Sequence, residues 1–209
     1  MFITFEGPEG SGKTTQYSRT VAALQAAGYD VLATREPGGT PIAEQIREVL
    51  LNRPENTTMT PEAEALLFSA ARAQHVRVVI RPALAAGRLV LCDRFYDSTL
   101  AYQGYGHGLD LAALRQITAF ATGGLRPDLT IYLDCPPEIG LRRKQQQAEW
   151  NRLDGMALAF HQRVYAGFQA LVQAEPERWV AVDATRDPDA VFAQIVEALR
   201  LRGLRFANR

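Results

Sequence analysis

Cysteine is almost absent from the 209-residue sequence, which contains only Cys92 and Cys135. Two cysteines cannot form a disulfide framework, and no C-x-x-C spacing indicates a metal site. Both residues lie in or beside apolar runs, so we expect buried, free thiols. This cysteine usage, together with a first strand that begins at once and no signal-peptide pattern, predicts a cytoplasmic protein.

Net charge is also lacking, because 23 Lys and Arg residues balance 23 Asp and Glu residues. Without a broad basic surface, nucleic acid and anionic membranes are not expected as partners. No apolar run is long enough to span a bilayer. The composition, with 47% hydrophobic and 22% charged residues, is typical of a soluble globular protein, and the length suits one domain, residues 1–209. Any binding of phosphate must therefore come from a local cluster of arginines.

What the chain does contain is a glycine-rich loop between an apolar strand and a helical pattern. Residues 7–14 read G-P-E-G-S-G-K-T and fit the phosphate-loop pattern G-x-x-x-x-G-K-[ST]. Glycines let consecutive backbone N–H groups point inward, and the following helix N-terminus adds partial positive charge. Lys13 can reach the β- and γ-phosphates of a nucleotide, and the Thr14 hydroxyl can bind Mg²⁺. The candidate phosphate-binding residues are Gly7, Pro8, Glu9, Gly10, Ser11, Gly12, Lys13, Thr14 and Thr15.

Short apolar runs alternate with helical patterns along the chain, as in a parallel sheet covered by helices on both faces. Strands are predicted near residues 2–6, 30–34, 88–92, 129–134 and 179–182. Thr-Pro pairs at residues 40–41 and 60–61 predict helix starts, and the second opens a long helix through about Ile80. The sequence thus predicts an α/β protein of the P-loop NTPase fold, with a five-stranded parallel sheet.

Two further segments follow predicted strands, at the edge where doubly wound sheets bind ligands. Residues 34–40, T-R-E-P-G-G-T, form a loop that proline and glycine make irregular. The third strand ends at Asp93, in the pattern of a Walker-B carboxylate that can bind Mg²⁺ directly or through water. Arg94 follows at the same edge, where its side chain could contact a ligand. The competing interpretation is a buried structural ion pair of Arg94 with another carboxylate.

The long helix carries a ring and a guanidinium one turn apart, at Phe68 and Arg72. Such an i, i+4 pair could hold a nucleobase by stacking and hydrogen bonding. Spacing alone favours the alternative, in which Phe68 is a core residue and Arg72 a surface residue. Ser98, Tyr102 and Gln103, if they are helical, would place three hydrogen-bonding side chains near the same crevice.

A basic and polar insert with weak patterning follows the fourth strand, over about residues 142–154. We interpret the insert as a short lid whose cations close over bound phosphates. A solvated surface segment has the same composition, and only the presence of a phosphate loop favours the lid.

These segments together resemble the bacterial-type thymidylate kinases, within the nucleoside monophosphate kinases. The resemblance is carried by residues 5–15, 34–40, 66–72 and 93–104, in that order, and covers nearly the whole chain. It implies transfer of the γ-phosphate of ATP to dTMP, giving dTDP for dTTP synthesis, with Mg²⁺ bound by Thr14 and Asp93. It also implies a homodimer built through long helices such as the one that starts at Pro61.

The resemblance further implies roles for individual side chains. Phe68 would stack on thymine, Arg72 would bond its exocyclic oxygen, and Arg94 would hold the acceptor phosphate. Tyr102 would lie against the 2′ position of the sugar, and Glu9 would reach its 3′-hydroxyl. The full dTMP set is Glu9, Glu36, Pro37, Arg47, Phe68, Arg72, Arg94, Ser98, Tyr102 and Gln103. The ATP set adds Arg143, over the adenine, and Thr185 beside it.

The lid departs from the family's pattern in several positions. Gln145 and Gln147 stand where arginines are common, Asn151 where aspartate is usual and Asp154 where glutamate is usual. The phosphate loop offers no compensating cation, because it holds Glu9. The predicted catalytic residues are Lys13, Arg94 and Arg152, with Arg152 as the lid cation that stabilises the transition state.

Two other functions fit part of the sequence. A broader deoxynucleoside monophosphate kinase would share the motifs, but Phe68, Arg72 and Tyr102 favour thymine and deoxyribose. A nucleotide-dependent switch would fit the altered lid, although the guanine-reading motif N-K-x-D is missing from the sequence. Transfer of phosphate to one acceptor, to several acceptors or to water distinguishes the three.

Overall fold

The computed structural model describes residues 1–53, 56, 58–146 and 152–206. The strands are β1 Phe2–Glu6, β2 Val31–Arg35, β3 Leu89–Asp93, β4 Leu129–Asp134 and β5 Trp179–Asp183. They form a five-stranded sheet in the order β2-β3-β1-β4-β5, and all neighbouring strands are parallel. The predicted fold class is confirmed, and each predicted strand agrees with the observed one to within a residue at either end.

Helices connect the strands and lie on both faces of the sheet. They are α1 Lys13–Ala26, α2 Pro41–Arg47, α3 Pro61–His75, α4 Arg81–Ala85, α5 Tyr96–Thr99, α6 Leu111–Thr122, α7 Pro137–Gln145, α8 Leu158–Ala174 and α9 Pro188–Leu201. Three π-helical segments, Glu48–Asn52, Val76–Ile80 and Leu100–Gly106, continue α2, α3 and α5. None of the helices in the described part of the chain has the length and apolar character needed to cross a membrane.

The Thr-Pro helix starts are confirmed at both predicted positions. The Thr40 hydroxyl accepts a hydrogen bond from the Ala43 N–H at 3.1 Å, and the Thr60 hydroxyl accepts one from the Ala63 N–H at 3.3 Å. Each threonine thereby satisfies an N–H that the first helical turn leaves without a backbone partner. The long helix runs past its predicted end near Ile80, because the π-helical segment leads directly into α4.

The core consists of two apolar clusters, one on each face of the sheet. Phe2, Val90 and Tyr132 point to the face covered by α3 and α8, whereas Ile3 and Leu91 point to the face covered by α1 and α9. Every residue of β1 is buried, as expected for a central parallel strand with helices on both sides. The two cysteines are free and buried, one in each cluster, as predicted.

The parallel register brings the strand ends together at one edge of the sheet. Phe5 lies opposite Asp93, and Arg35 lies opposite the same aspartate from the other side. Asp134 and Asp183 are paired in the same way at the ends of β4 and β5. Because parallel strands have all their carboxyl ends at one edge, residues far apart in sequence meet there.

The phosphate loop and α7 approach so closely that only glycine fits between them. A Cβ atom on Gly10 would overlap the carbonyl oxygen of Gly140, and a Cβ on Gly140 would overlap the carbonyl oxygen of Glu9. Gly10 also has a φ of 67°, in the left-handed region that favours glycine. Helix α7, which leads into the proposed lid, therefore packs directly on the backbone of the phosphate loop.

This contact predicts that Gly140→Ala lowers both the stability of the protein and its affinity for ATP. Overpacking typically costs about 1–3 kcal/mol, which more than offsets the roughly 1 kcal/mol by which alanine is the better helix former. Thermal unfolding and ATP titration measure the two effects. The control is Arg142→Ala, at an exposed position of α7. Wild-type stability and affinity in Gly140→Ala would contradict the close approach.

Candidate active site

The phosphate loop curls between the end of β1 and the start of α1. Gly12 caps α1 with a φ of 80°, and Lys13 is the first helical residue. The loop surrounds a cavity lined by Pro8, Glu9, Gly10, Ser11, Gly12, Lys13, Thr14, Thr15, Arg94 and Lys144. Backbone N–H groups at a helix N-terminus form a site for an anion. The predicted residues of the loop therefore surround one space, except Gly7, whose carbonyl oxygen accepts a hydrogen bond from Arg94.

Lys13 and the candidate Walker-B carboxylate are in direct contact. The Lys13 ammonium donates a hydrogen bond to Asp93 Oδ1, and both side chains are largely buried. Thr14 and Asp93 line the same larger cavity. A hydroxyl and one carboxylate fit Mg²⁺, which is usually bound by one or two carboxylates together with water and substrate phosphates.

Arg94 adopts a backbone conformation that is unusual for any residue except glycine, with a φ of 67°. Such a conformation costs about 1–3 kcal/mol and persists only where the surroundings impose it. The Arg94 N–H is held by the carbonyl of Phe5 at 2.9 Å. The guanidinium donates to the Gly7 carbonyl, to Ser98 Oγ at 3.1 Å and to Glu9 Oε1 at 2.9 Å. Arg94 thus forms the ion pair that was the competing interpretation, but its carboxylate partner, Glu9, belongs to the phosphate loop and lines the same cavities.

Glu9 points from the phosphate loop toward Arg94 and Tyr102. Its Oε1 accepts hydrogen bonds from the Tyr102 hydroxyl and from Arg94, both at 2.9 Å. Burial by itself raises the pKa of Glu9, but Arg94 and Lys13 outweigh burial and bring the pKa below its ordinary value. Glu9 is therefore a carboxylate that accepts hydrogen bonds at neutral pH.

Glu6, the last residue of β1, is a second carboxylate close to Arg94. It accepts hydrogen bonds from the Phe95 N–H at 2.8 Å and from Ser98 Oγ at 2.6 Å. Burial, followed by the neighbouring Asp97, raises its pKa from 4.5 to about 7. This group was not among the predicted site residues, although its place at the end of a strand beside the phosphate loop marks it as a candidate.

Arg72 is buried at 2% exposure, so the expectation of a surface residue from spacing is wrong. Its Nε donates to Glu36 Oε2 at 2.7 Å, and Nη2 donates to Thr99 Oγ1 at 3.2 Å. Nη1 is buried and has no partner among the described residues. His75 lies 3.1 Å from the other oxygen of Glu36 and 2.7 Å from the hydroxyl of Thr34. Glu36 thus lies within the site as the partner that orients Arg72.

A larger cavity lies between these groups and opens toward the phosphate loop. All ten predicted dTMP residues line it: Glu9, Glu36, Pro37, Arg47, Phe68, Arg72, Arg94, Ser98, Tyr102 and Gln103. The catalytic candidate Lys13 and the metal candidates Thr14 and Asp93 line it as well. Phe68 is half-buried; its ring lines this cavity and also packs against the core. A core residue and a ring available for stacking are therefore compatible interpretations of Phe68.

Six lining residues were not predicted: Arg35, Leu51, Phe95, Thr99, Lys144 and Leu153. Arg35 is the last residue of β2, so its place at the ligand edge of the sheet was a usable signal. Lys144 belongs to the basic run of the insert but was not singled out. Leu51 and Leu153 carry no local signal, because only packing brings such distant apolar residues to one wall.

Arg143 and Thr185 are neighbours, as the resemblance implied. The Arg143 guanidinium donates to the carbonyl oxygen of Ala184 at 2.8 Å and to that of Thr185 at 3.2 Å. Both residues lie beyond the carboxyl ends of β4 and β5, beside the phosphate loop that α7 packs against. Neither residue lines the two cavities described above.

Arg152 lies away from the phosphate loop. Its guanidinium contacts Glu64 Oε2, and its Nε lies 3.5 Å from the Leu50 carbonyl. It lines neither cavity. Of the altered lid positions, Gln145 ends α7 and Asp154 lies 3.6 Å from Lys144 Nζ. Gln147 and Asn151 lie outside the described residues.

Comparisons with known proteins agree with this geometry. The family model described as Thymidylate kinase matches residues 5–195. A protein of Thermomicrobium roseum named Thymidylate kinase is 56% identical over 98% of both chains. One of Deinococcus radiodurans with the same name is 53% identical over 97% of this chain and 98% of its own. A crystal structure of thymidylate kinase from Ehrlichia chaffeensis superposes with a TM-score of 0.77, 33% identity and coverage of 96% and 98%.

The pKa of Glu6 predicts a pH-dependent difference between the wild type and Glu6→Gln. Because the folded pKa of about 7 lies above the ordinary 4.5, folding disfavours the charged form. Stability from this group is complete below about pH 4.5 and is lost as the pH rises to about 7. The free energy of unfolding of Glu6→Gln, measured with urea relative to the wild type, should therefore be more favourable at pH 8 than at pH 5. The control for losing one carboxylate is Glu197→Gln, at an exposed position on α9. If the difference in unfolding free energy between Glu6→Gln and the wild type is the same at both pH values, the raised pKa is contradicted.

Proposed function

This chain belongs to the thymidylate kinase family, and we propose which of its residues perform each part of the phosphoryl transfer from ATP to dTMP. The reaction phosphorylates dTMP to dTDP. One observation carries the proposal: the phosphate-loop cavity and the larger cavity share a common wall of five residues. These residues are Glu9, Lys13, Thr14, Arg94 and Lys144. The wall is where a phosphoryl group would pass from donor to acceptor.

We propose that the donor phosphates occupy the phosphate-loop cavity. The backbone N–H groups of the loop would bind their oxygens, and Lys13 would exchange its contact with Asp93 for the β- and γ-phosphates. Arg143 would lie over the adenine, beside Thr185. Thr14 and Asp93 would hold Mg²⁺, which when bound supplies positive charge to the donor phosphates.

The acceptor phosphate is proposed to lie against Arg94, whose guanidinium is fixed by Gly7, Ser98 and Glu9. Arg47 supports this assignment as a second cation of the larger cavity. Burial and then the neighbouring Arg35 lower the pKa of Arg47, and Arg35, Arg47 and Arg94 all line this cavity. A phosphate bound there would be attracted by both guanidiniums.

The sugar and base are proposed to lie along the rest of the larger cavity. Glu9 and Tyr102 line the cavity beside Arg94, and we propose that they contact the 3′ and 2′ positions of the deoxyribose. Phe68 would stack on thymine, and the unpartnered Nη1 of Arg72 would donate to its exocyclic O4. A buried donor without a partner is costly, so a base that supplies the acceptor is favoured.

Phosphoryl transfer requires little covalent assistance from the protein. Charge spreads over the oxygens of the transferred group, so the enzyme must align donor and acceptor and provide cations. Lys13 and Arg94 both belong to the shared wall and would act on the donor and the acceptor phosphate respectively. Both are held by carboxylates, which fixes their direction before the substrates bind.

Two cations of the insert are candidates for contact with the transferred group, Arg152 and Lys144. Within a single kinase domain of residues 1–209, we propose residues 142–154 as the lid. Arg152 can reach the phosphates only after its contact with Glu64 opens. Lys144 needs no such step, because it already lines both cavities. Lys144 is therefore a second candidate for the role predicted for Arg152.

Three properties of the whole molecule also remain proposals. A homodimer through the long helix is supported by apolar side chains that this helix exposes, among them Leu66 at 55% and Val78 at 54%. Independence from nucleic acid is supported by the balanced charge of the chain. A cytoplasmic location stays a prediction from the sequence.

Removal of the Phe68 ring tests the position of the base. Phe68→Ala should weaken dTMP binding by about 1–3 kcal/mol, the usual loss for a base stacked on an aromatic ring. ATP binding should change little, because Phe68 does not line the phosphate-loop cavity. Calorimetric titration with each nucleotide measures both, and Phe192→Ala on α9 is the control for losing a half-buried ring. An equal loss of ATP affinity would identify Phe68 as a core residue only.

Separate truncation of the two lid cations tests their roles. If Arg152 stabilises the transition state, Arg152→Ala lowers kcat far more than it raises KM. Lys144→Ala shows this pattern if Lys144 has the role instead. Steady-state rates of ADP release with dTMP distinguish the two. If either variant changes only KM, that residue does not stabilise the transition state.

A further inference from the structure

The carboxylate of Glu64 connects the base cavity to the end of the lid. Glu64 lies near the start of α3 and is buried at 1% exposure. Its Oε1 accepts a hydrogen bond from Gln103 Nε2 at 2.6 Å, and its Oε2 contacts the Arg152 guanidinium. His107 Nε2 lies 3.4 Å from Oε1. Neither the family motifs nor the predicted site residues include Glu64.

This contact determines which end of the Gln103 amide faces the protein. A guanidinium is permanently charged, and the carboxylate paired with it can only accept hydrogen bonds. The NH₂ group of Gln103 must therefore face Glu64, since the amide oxygen would be repelled. Gln103 also lines the larger cavity, and its Oε1 accepts no hydrogen bond from the described residues. The amide thus offers the cavity an acceptor.

We propose that Glu64 is a positioning residue that determines base specificity by fixing the orientation of the Gln103 amide. The inference rests on the proposed placement of the base in the larger cavity. Glu64 itself does not line that cavity, so it acts through Gln103. The fixed amide and Arg72 Nη1 then present one acceptor and one donor to the edge of the base.

This pair of groups is complementary to thymine and not to cytosine. Thymine offers a donor at N3–H and an acceptor at O4, whereas cytosine offers an acceptor at N3 and a donor at its 4-amino group. A free glutamine could rotate its amide by half a turn and donate to N3 of cytosine. Glu64 prevents that rotation, because the turned amide would place its oxygen against a carboxylate. Rejection by an unfavourable contact is a common source of specificity.

The simpler alternative is that Glu64 serves only as the counter-charge of Arg152. The two roles differ in what they affect. Loss of a counter-charge changes the stability of the protein or the behaviour of the lid, and both effects are the same for every acceptor nucleotide. Loss of amide orientation changes the ratio of kcat/KM between nucleotides that differ at N3 and position 4, and effects through Arg152 cancel in that ratio.

The experiment compares dTMP with the 5-methyl derivative of dCMP, which keeps the methyl group and differs only at the N3–C4 edge. Glu64→Gln can either donate to or accept from Gln103, so the preference for dTMP in kcat/KM should fall by about tenfold or more. Glu64→Asp retains an acceptor-only group and should keep most of the preference. Glu62→Gln, at an exposed position on the same helix, should keep all of it.

A double-variant cycle separates failure of this inference from failure of the base placement. Gln103→Leu should lower the preference, and adding Glu64→Gln to it should lower the preference no further. If Gln103→Leu leaves the ratio unchanged, the base does not lie at Gln103 and both proposals fail. If Gln103→Leu lowers the ratio but Glu64→Gln alone does not, only the role of Glu64 is overturned.

A measurement on the wild-type protein covers the case in which Glu64→Gln does not fold. With ¹⁵N3-labelled dTMP bound, the N3–H proton should be observable by NMR and protected from exchange with water. The protection follows because Gln103 Oε1 accepts its hydrogen bond. Rapid exchange of that proton in the saturated complex would show that the amide offers no acceptor and would overturn the inference.

Discussion

The pairing of each buried cation with a carboxylate is the interaction on which this site depends. Guanidinium and ammonium groups at the carboxyl edge of the sheet must be positioned before any phosphate is present. Leaving a buried charge unpaired costs about 3–5 kcal/mol, so each cation needs a counter-charge in the free protein. The pairs are Lys13 with Asp93, Arg94 with Glu9 and Arg72 with Glu36. The neutral chain therefore carries a local cluster of cations whose charge is balanced within the site.

The cations differ in how firmly their contacts hold them in place. Arg72 has carboxylate and hydroxyl partners on two sides, so it is fixed and can be selective toward a base. Arg94 is fixed by its backbone as well as its side chain, which suits the phosphate-binding role proposed for it. Among the described residues, Lys13 donates only to Asp93, so its ammonium is held by fewer contacts than the two guanidinium groups. The balance between fixed and movable cations follows from the number of contacts that each one makes.

Pairing with a carboxylate can also give a neutral side chain one fixed orientation, and so allow it to distinguish between bases. Gln103 can discriminate only if its amide has one orientation, and that requires a partner that accepts but never donates. Glu64 accepts from the Gln103 amide and also contacts the Arg152 guanidinium. Gln103, which lines the larger cavity, and Arg152 therefore share one buried carboxylate.

The sequence by itself determined the phosphate loop, the order of strands and helices, and the position of Asp93 after β3. These features are local, because glycine conformation, hydrophobic period and helix capping act over a few residues. Ten dTMP candidates were predicted by resemblance and lie around one cavity. Only the tertiary structure decided that Arg72 is buried on Glu36, that Lys144 lines both cavities and that Arg152 and Gln103 meet at Glu64. Arg152 and Glu64 are 88 positions apart in the sequence. No local pattern encodes a contact of that kind, because it forms only when distant segments pack together.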